Sequence, residues 1–111
     1  MGENKIYGTS TVIELIKKKT PKKAPYVSII TIIKYPPALN YAERIIYPTR
    51  EDYLLAVERQ NKLRRQGFPL PATNLIITAQ AVNRNLVLVT RDKHFKTIKE
   101  KVAGGLELEL V

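Results

Sequence analysis

Two hydrophobic periods alternate along this chain. Lys5-Ile6-Tyr7 reads as a short first strand, and Thr9-Ser10-Thr11 supplies helix-start chemistry for a short apolar helix through Val12, Ile13, Leu15 and Ile16. Tyr26 to Thr31 (YVSIIT) is nearly continuous in apolar character, as a central parallel strand covered on both faces requires. Pro36-Pro37 blocks both a strand and a helix running through, so a helix is expected to restart there. Ile45-Ile46-Tyr47 is a brief extended segment, and Thr49-Arg50-Glu51-Asp52 has the form of a capping box. Tyr53, Ala56, Val57 and Leu63 fall near helical spacing on one side, and this helix ends at Gly67. The next helix starts near Thr73-Asn74, ends at Asn83-Arg84-Asn85, and is apolar over much of its circumference, which predicts that it packs on the sheet. Leu86 to Thr90 reads as a buried strand, Asp92 opens a short helix broken by Gly104-Gly105, and Leu106 to Val111 (LELELV) alternates like an edge strand.

Strands alternating with helices predict an α/β fold, a three-layer α/β/α sandwich around a mainly parallel sheet. With 111 residues, residues 1–111 form a single domain with one core. Hydrophobic content of 44% and charged content of 26% are those of a globular protein. The absence of cysteine excludes disulfides and thiolate metal sites. No apolar run is long enough to span a bilayer, and the start Met-Gly-Glu-Asn-Lys lacks a signal peptide's apolar core, so a cytoplasmic protein without a membrane partner is expected. The formal net charge of +9 favours polyanionic partners, nucleic acid or an acidic protein segment. A lysine-rich surface is also compatible with simple solubility.

Open parallel sheets bind ligands beyond the carboxyl ends of their strands. Gly8, Lys34 and Asp92 are expected just past three such ends, and Asn74 at a helix start. Four segments around these positions together resemble the VapC-type PIN-domain family: Ile6-Tyr7-Gly8-Thr9-Ser10-Thr11-Val12-Ile13-Glu14, Val27 through Tyr35, Ala72-Thr73-Asn74-Leu75-Ile76-Ile77, and Leu88-Val89-Thr90-Arg91-Asp92-Lys93-His94-Phe95. Their order and context cover nearly the whole chain. The resemblance implies a PIN-like fold, Mg²⁺- or Mn²⁺-dependent hydrolysis of RNA, a homodimer, and an antitoxin partner.

The family pattern has a carboxylate at each of the four positions. Here Gly8, Lys34 and Asn74 stand where three of them belong, and only Asp92 is retained. The local charge therefore moves from four negatives to a sum of zero, which is poor compensation for a hard dication's hydration shell. No cofactor is expected on this count, and Mg²⁺ or Mn²⁺ only if the site is still active. Glu14, Glu43, Glu51 and Asp52 fall in segments that the motifs do not place at the cleft. The sequence thus predicts a pseudo-nuclease that retains binding to RNA, an antitoxin or another PIN subunit, with Lys34 reaching Asp92 as an ion pair. The alternatives are an active Mg²⁺-dependent endoribonuclease, and an interaction module that binds no nucleic acid.

Asp92 is equally a helix cap, Asn74 a first-turn residue, and His94 a surface residue. Thr9, Ser10, Thr90 and Arg91 are candidates for phosphate contact at the cleft. The five lysines Lys17, Lys18, Lys19, Lys22 and Lys23 crowd around Thr20-Pro21 and are candidates for sequence-independent contact with nucleic acid; Arg59, Lys62, Arg64 and Arg65 can extend that surface. The tyrosines do not interleave with these basic residues, so no stacking platform for bases is predicted.

Overall fold

The computed structural model describes residues 4–102 and 104–111; the reading of Met1-Gly2-Glu3 as a leaderless start lies outside them. In chain order the elements are β1 (Lys5–Tyr7), α1 (Thr9–Lys17), β2 (Ala24–Ser28), α2 (Ile29–Lys34), a 3₁₀ helix (Pro36–Tyr41), β3 (Ala42–Ile46), α3 (Arg50–Arg65), α4 (Ala72–Asn83), β4 (Val87–Thr90), α5 (Lys93–Lys101) and β5 (Glu107–Leu110). The strands form one sheet in the order β3-β2-β1-β4-β5, and every pairing is parallel. Ile6 lies opposite Tyr26 on one side and Leu88 on the other, which sets the register of the centre.

Side chains alternate between the two sheet faces. Ile6 and Leu88 pack with Leu75, Ile77, Ala79 and Ala81 of α4, Ala56 and Leu63 of α3, and Phe95 and Ile98 of α5. On the other face Val27 packs with Val12 of α1, Ile32 of α2 and Ala38 of the 3₁₀ helix. The molecule is the expected three-layer α/β/α sandwich. Among the described residues no helix is long and apolar enough to cross a membrane.

The local differences have identifiable causes. The segment YVSIIT is not one strand: β2 ends at Ser28, whose side chain accepts the Ile30 N–H and caps a six-residue helix. Burial of Thr31 and Ile32 in that helix outweighs the strand preference of β-branched residues. Lys34 is therefore the last residue of α2 and does not directly follow a strand. After Pro36 the chain takes 3₁₀ turns, and β3 begins at Ala42, earlier than its apolar residues suggest. At α1 the N-cap is Gly8, and the three hydroxyls lie in the first turn; Thr11 Oγ1 donates to Gly8 O (2.8 Å) and Val89 O (3.0 Å), which ties the helix to β4.

The capping box of α3 is present, with Thr49 Oγ1 accepting the Asp52 amide and Asp52 accepting the Thr49 amide. Within α3 the buried stripe is Asp52, Ala56 and Leu63, whereas Tyr53 and Val57 are open to solvent. α4 is buried at seven of its twelve positions, including Asn74, Thr78 and Gln80, as its all-round apolar pattern anticipates. β5 is the expected edge strand and pairs only with β4.

Candidate functional site

Parallel strands place their carboxyl ends along one edge of the sheet, and the four motif positions meet there. β1 delivers Gly8, whose amide donates to Val89 O (2.9 Å). Its φ of −73° suits any residue, so what glycine contributes is space rather than backbone freedom. A Cβ at this position would lie 3.1 Å from Thr90 Oγ1 and 3.3 Å from Thr90 Cβ. β4 delivers Thr90, fully buried, whose Oγ1 accepts the Asp92 amide (3.0 Å). Asn74 enters from the first turn of α4 and is buried. Lys34 enters from the end of α2 and is exposed. Lys34, Asn74 and Thr90 line a cleft of about 50 Å³ with Thr9, Ser10 and Asp92, while Gly8 packs against Thr90 and is not part of the lining.

Both carboxylate oxygens of Asp92 are already engaged. Oδ1 accepts the His94 amide (2.9 Å), capping α5, with His94 Nδ1 at 3.4 Å, and Oδ2 accepts from Asn74 Nδ2 (3.2 Å). The expected Lys34–Asp92 ion pair is absent. Among the described residues Lys34 has no carboxylate within 4.0 Å. Instead an amide from α4 takes the place beside the acid that the ammonium was expected to fill. Lys34 sits at the mouth of the cleft, where solvation of the ammonium costs less than contact with a carboxylate already hydrogen-bonded twice.

A divalent cation does not fit the residues present. Magnesium and manganese need several anionic or carbonyl oxygens converging at short range. Here one carboxylate shares its pocket with an amide donor, and the other charged residue of the lining is a lysine. Among the described residues no group of three or more His, Cys, Asp or Glu side chains is placed to hold a metal. Nor do the other acids supply the deficit: Glu14 pairs with Arg91 (3.0 Å) and Lys18 (3.6 Å), and Asp52 is buried against Arg84 (3.0 Å).

The remaining candidates separate. Thr9 Oγ1 donates to Thr31 Oγ1 (3.4 Å) and Ser10 Oγ accepts the Arg91 amide (3.2 Å), so both hydroxyls also bind the cleft's own walls together. Arg91 turns its guanidinium to Glu14 and is not among the residues lining the cleft. The lysines from Lys17 to Lys23 are not at the cleft. α1 runs back along the sheet, and its carboxyl end with the loop that follows lies where β2 begins.

Sequence reasoning missed three features. Ile77 and Phe95 form an apolar part of the cleft lining. Thr31, hidden in an apparent strand, is the buried partner of Thr9. An apolar groove of about 400 Å³ lies elsewhere, between α3 and α4, lined by Tyr53, Val57, Gln60, Arg64, Leu75 and Ile76. The signal for it was present in the spacing: Ala56 and Leu63 share a stripe that Tyr53 and Val57 do not.

An all-parallel sheet in this order, with the four motif positions gathered at its carboxyl edge, defines the VapC-like PIN-domain fold. Solved structures agree along almost the whole chain. A chain in the crystal structure of VapBC2 from Rickettsia felis bound to a promoter DNA fragment superposes with a TM-score of 0.73 at 19% identity, covering 95% of this chain and 96% of that one. DNA-bound VapBC from Salmonella typhimurium gives 0.72 at 19% identity, covering 94% and 95%. VapBC-1 from nontypeable Haemophilus influenzae gives 0.71 at 20% identity, covering 95% and 96%. No protein-family model matches the sequence, and no curated protein does.

Proposed function

We propose that this chain is a VapC-like protein of the toxin–antitoxin type that has lost metal-dependent RNA cleavage and retains binding: to RNA, to an antitoxin, or to a PIN subunit. One observation carries the loss of cleavage. The cleft's single carboxylate is tied up by Asn74 and the His94 amide, with Lys34 at the rim. Metal-assisted phosphodiester hydrolysis needs ions that stabilise the attacking and leaving oxygens, and this pocket offers them almost no anionic charge. The likeness to chains in VapBC structures supports an antitoxin partner.

Calorimetric titration of the purified chain with Mn²⁺ tests the reading, together with incubation of single-stranded RNA in Mg²⁺ or Mn²⁺. No heat of stoichiometric binding and no cleavage are expected. Cleavage that EDTA stops, and that an Asp92→Ala variant lacks, would return the chain to the active ribonucleases.

A specific observation favours a second copy of the chain among the protein partners. α3 exposes Tyr53 (50%), Leu54 (58%) and Val57 (67%) on one side, next to the apolar groove. Two α3 helices packed antiparallel would cover the same apolar side chains on both copies. Sedimentation velocity is expected to find a dimer that Leu54→Asp with Val57→Asp converts to monomer, weakening association by about a hundredfold or more. Unchanged association in that double variant would remove α3 from the interface.

A further inference from the structure

The lysine-rich turn after α1 stands apart from every other motif position in this fold. α1 starts at the cleft with Thr9 and Ser10 and ends at Lys17. Eight residue steps along a helix give about 12 Å of rise, directed away from the cleft. The turn therefore lies toward the opposite edge of the sheet.

Its backbone is closed by the helix itself. Lys19 N donates to Ile16 O (3.1 Å) and Thr20 N to Leu15 O (3.2 Å), with Lys19 at φ +50°. This is the Schellman arrangement, in which the left-handed residue is usually glycine. A lysine there carries a conformational cost of about 1 kcal/mol or more with no packing in return, since its side chain is exposed. Local rules broken without structural gain point to function.

The charge of the turn is also uncommitted. Lys17, Lys18, Lys19, Lys22 and Lys23 are all exposed, and among the described residues only Lys18 has a carboxylate within 4.0 Å, Glu14. Basic residues elsewhere are more often occupied. Arg59 and Lys62 pair with Glu58, Arg84 with Asp52, and Arg91 with Glu14; Lys99 donates to Leu106 O, and Lys101 covers the Phe68 ring.

We infer that the Lys17–Lys23 turn docks the phosphate backbone of nucleic acid, separately from the cleft, so that a copy whose cleft is closed by another protein still binds. The inference rests on the binding reading above and specifies its surface. An acidic protein is the weaker match, because tight protein interfaces centre on desolvated apolar anchors. The turn has only Thr20 and Pro21 between its lysines, and the exposed large apolar side chains of helices sit on α2, the 3₁₀ helix and α3 instead. Flexible ammonium groups without a base-reading or stacking partner suit backbone contact independent of sequence.

Fluorescence anisotropy with a labelled single-stranded 20-mer RNA, and with the same sequence as a duplex, tests this on the full chain in EDTA. Each phosphate neutralised contributes about −0.7 to the logarithmic salt slope for a single strand and about −0.9 for a duplex. Removing three contacts, by Lys19→Gln, Lys22→Gln and Lys23→Gln, is expected to weaken binding at least tenfold and to flatten the single-strand slope by about 2. A charge-matched control, Arg50→Gln with Lys96→Gln and Lys101→Gln, is expected to stay within threefold of the parent. Lys19→Gly is expected to melt no lower than the parent and to bind more weakly, a pair of signs that misfolding would not produce. If both triple variants lose equally, binding is diffuse charge and the inference falls. If Lys34→Glu accounts for the loss instead, RNA lies in the cleft, and the inference falls while the binding reading stands. If the parent binds neither probe at low salt, both the inference and the nucleic-acid part of that reading fail, and acidic peptides become the partner to test.

Discussion

The variant carrying Gly8→Asp, Lys34→Glu and Asn74→Asp together is expected to bind Mn²⁺ where the parent does not. The arithmetic is local. Gly8, Lys34, Asn74 and Asp92 sum to zero charge, and the variant sums to minus four at the same positions. At 4 Å and an effective dielectric constant near 20, each unit pair contributes about 4 kcal/mol before dehydration is subtracted. A residue of only about 2.7 kcal/mol after that subtraction is already a hundredfold in affinity. The Asn74 change also removes the donor that now occupies Asp92 Oδ2, so the retained acid is freed as others arrive.

Without metal the same variant is expected to be less stable than the parent. Four carboxylates in one small cleft repel, and the new Cβ at position 8 lies 3.1 Å from the buried Thr90 hydroxyl, which must give by a few tenths of an ångström. Mn²⁺ at a hundred times its dissociation constant should restore about 2.7 kcal/mol, or roughly 10 °C in Tm for a domain of this size. Differential scanning fluorimetry reads the effect directly. A parent chain that gains as much from Mn²⁺ as the variant would show that the missing acids were not what excluded the ion.

How much of this was legible beforehand varies by element. β1, β4 and β5 could be read because each is a short apolar or alternating run with clear punctuation. α3 could be read because Thr49 and Asp52 announce its start. β2 and α2 could not be separated: Val27 to Ile33 is a β-branched run with one serine in it, and nothing local says that Ser28 caps a helix. That decision is tertiary, made by the burial of Thr31 and Ile32. The same run places Lys34 just past a strand end when read locally, whereas it is the last residue of α2.

Within the site, the motif positions could be ordered from sequence, but not their hydrogen bonds. Asn74 and Asp92 are eighteen residues apart, and only the packing of α4 on β4 brings amide to carboxylate. The lysine turn and the cleft hydroxyls were separate candidates, and α1, which joins them in sequence, keeps them apart in space. A helix lying along the sheet sends its two ends to opposite edges, and so divides them.

The other large effect is expected at Asp52, whose side chain is fully buried and ties α3 to α4. Its oxygens accept from Arg84 Nη1 (3.1 Å) and Nη2 (3.0 Å), Asn83 Nδ2 (2.8 Å) and the Thr49 amide (2.8 Å), joining the start of α3 to the end of α4. Arg84 reaches on to Gln80 O and Tyr47 O, so the loop after β3 is held by the same guanidinium. Asp52→Ala leaves the partly buried Arg84 with backbone carbonyls but no counter-charge, leaves the Asn83 amide without this acceptor, and removes the N3 half of the capping box. A loss of about 3–5 kcal/mol is expected from the broken pair, enough to remove much of a small domain's stability. Burial alone pushes the Asp52 carboxyl up; the hydrogen bonds from Arg84, Thr49 and Asn83 and the arginine's charge outweigh it, so the group sits below the ordinary carboxylate range. A carboxyl depressed in the folded state stabilises the fold above its unfolded pKa, near 4, and loses that contribution as pH falls through the folded value. The gap between parent and Asp52→Asn in urea denaturation should therefore be full at pH 7 and shrink progressively below about pH 4. A gap that does not change down to pH 2 would mean that the ionised carboxylate is not what holds α3 to α4.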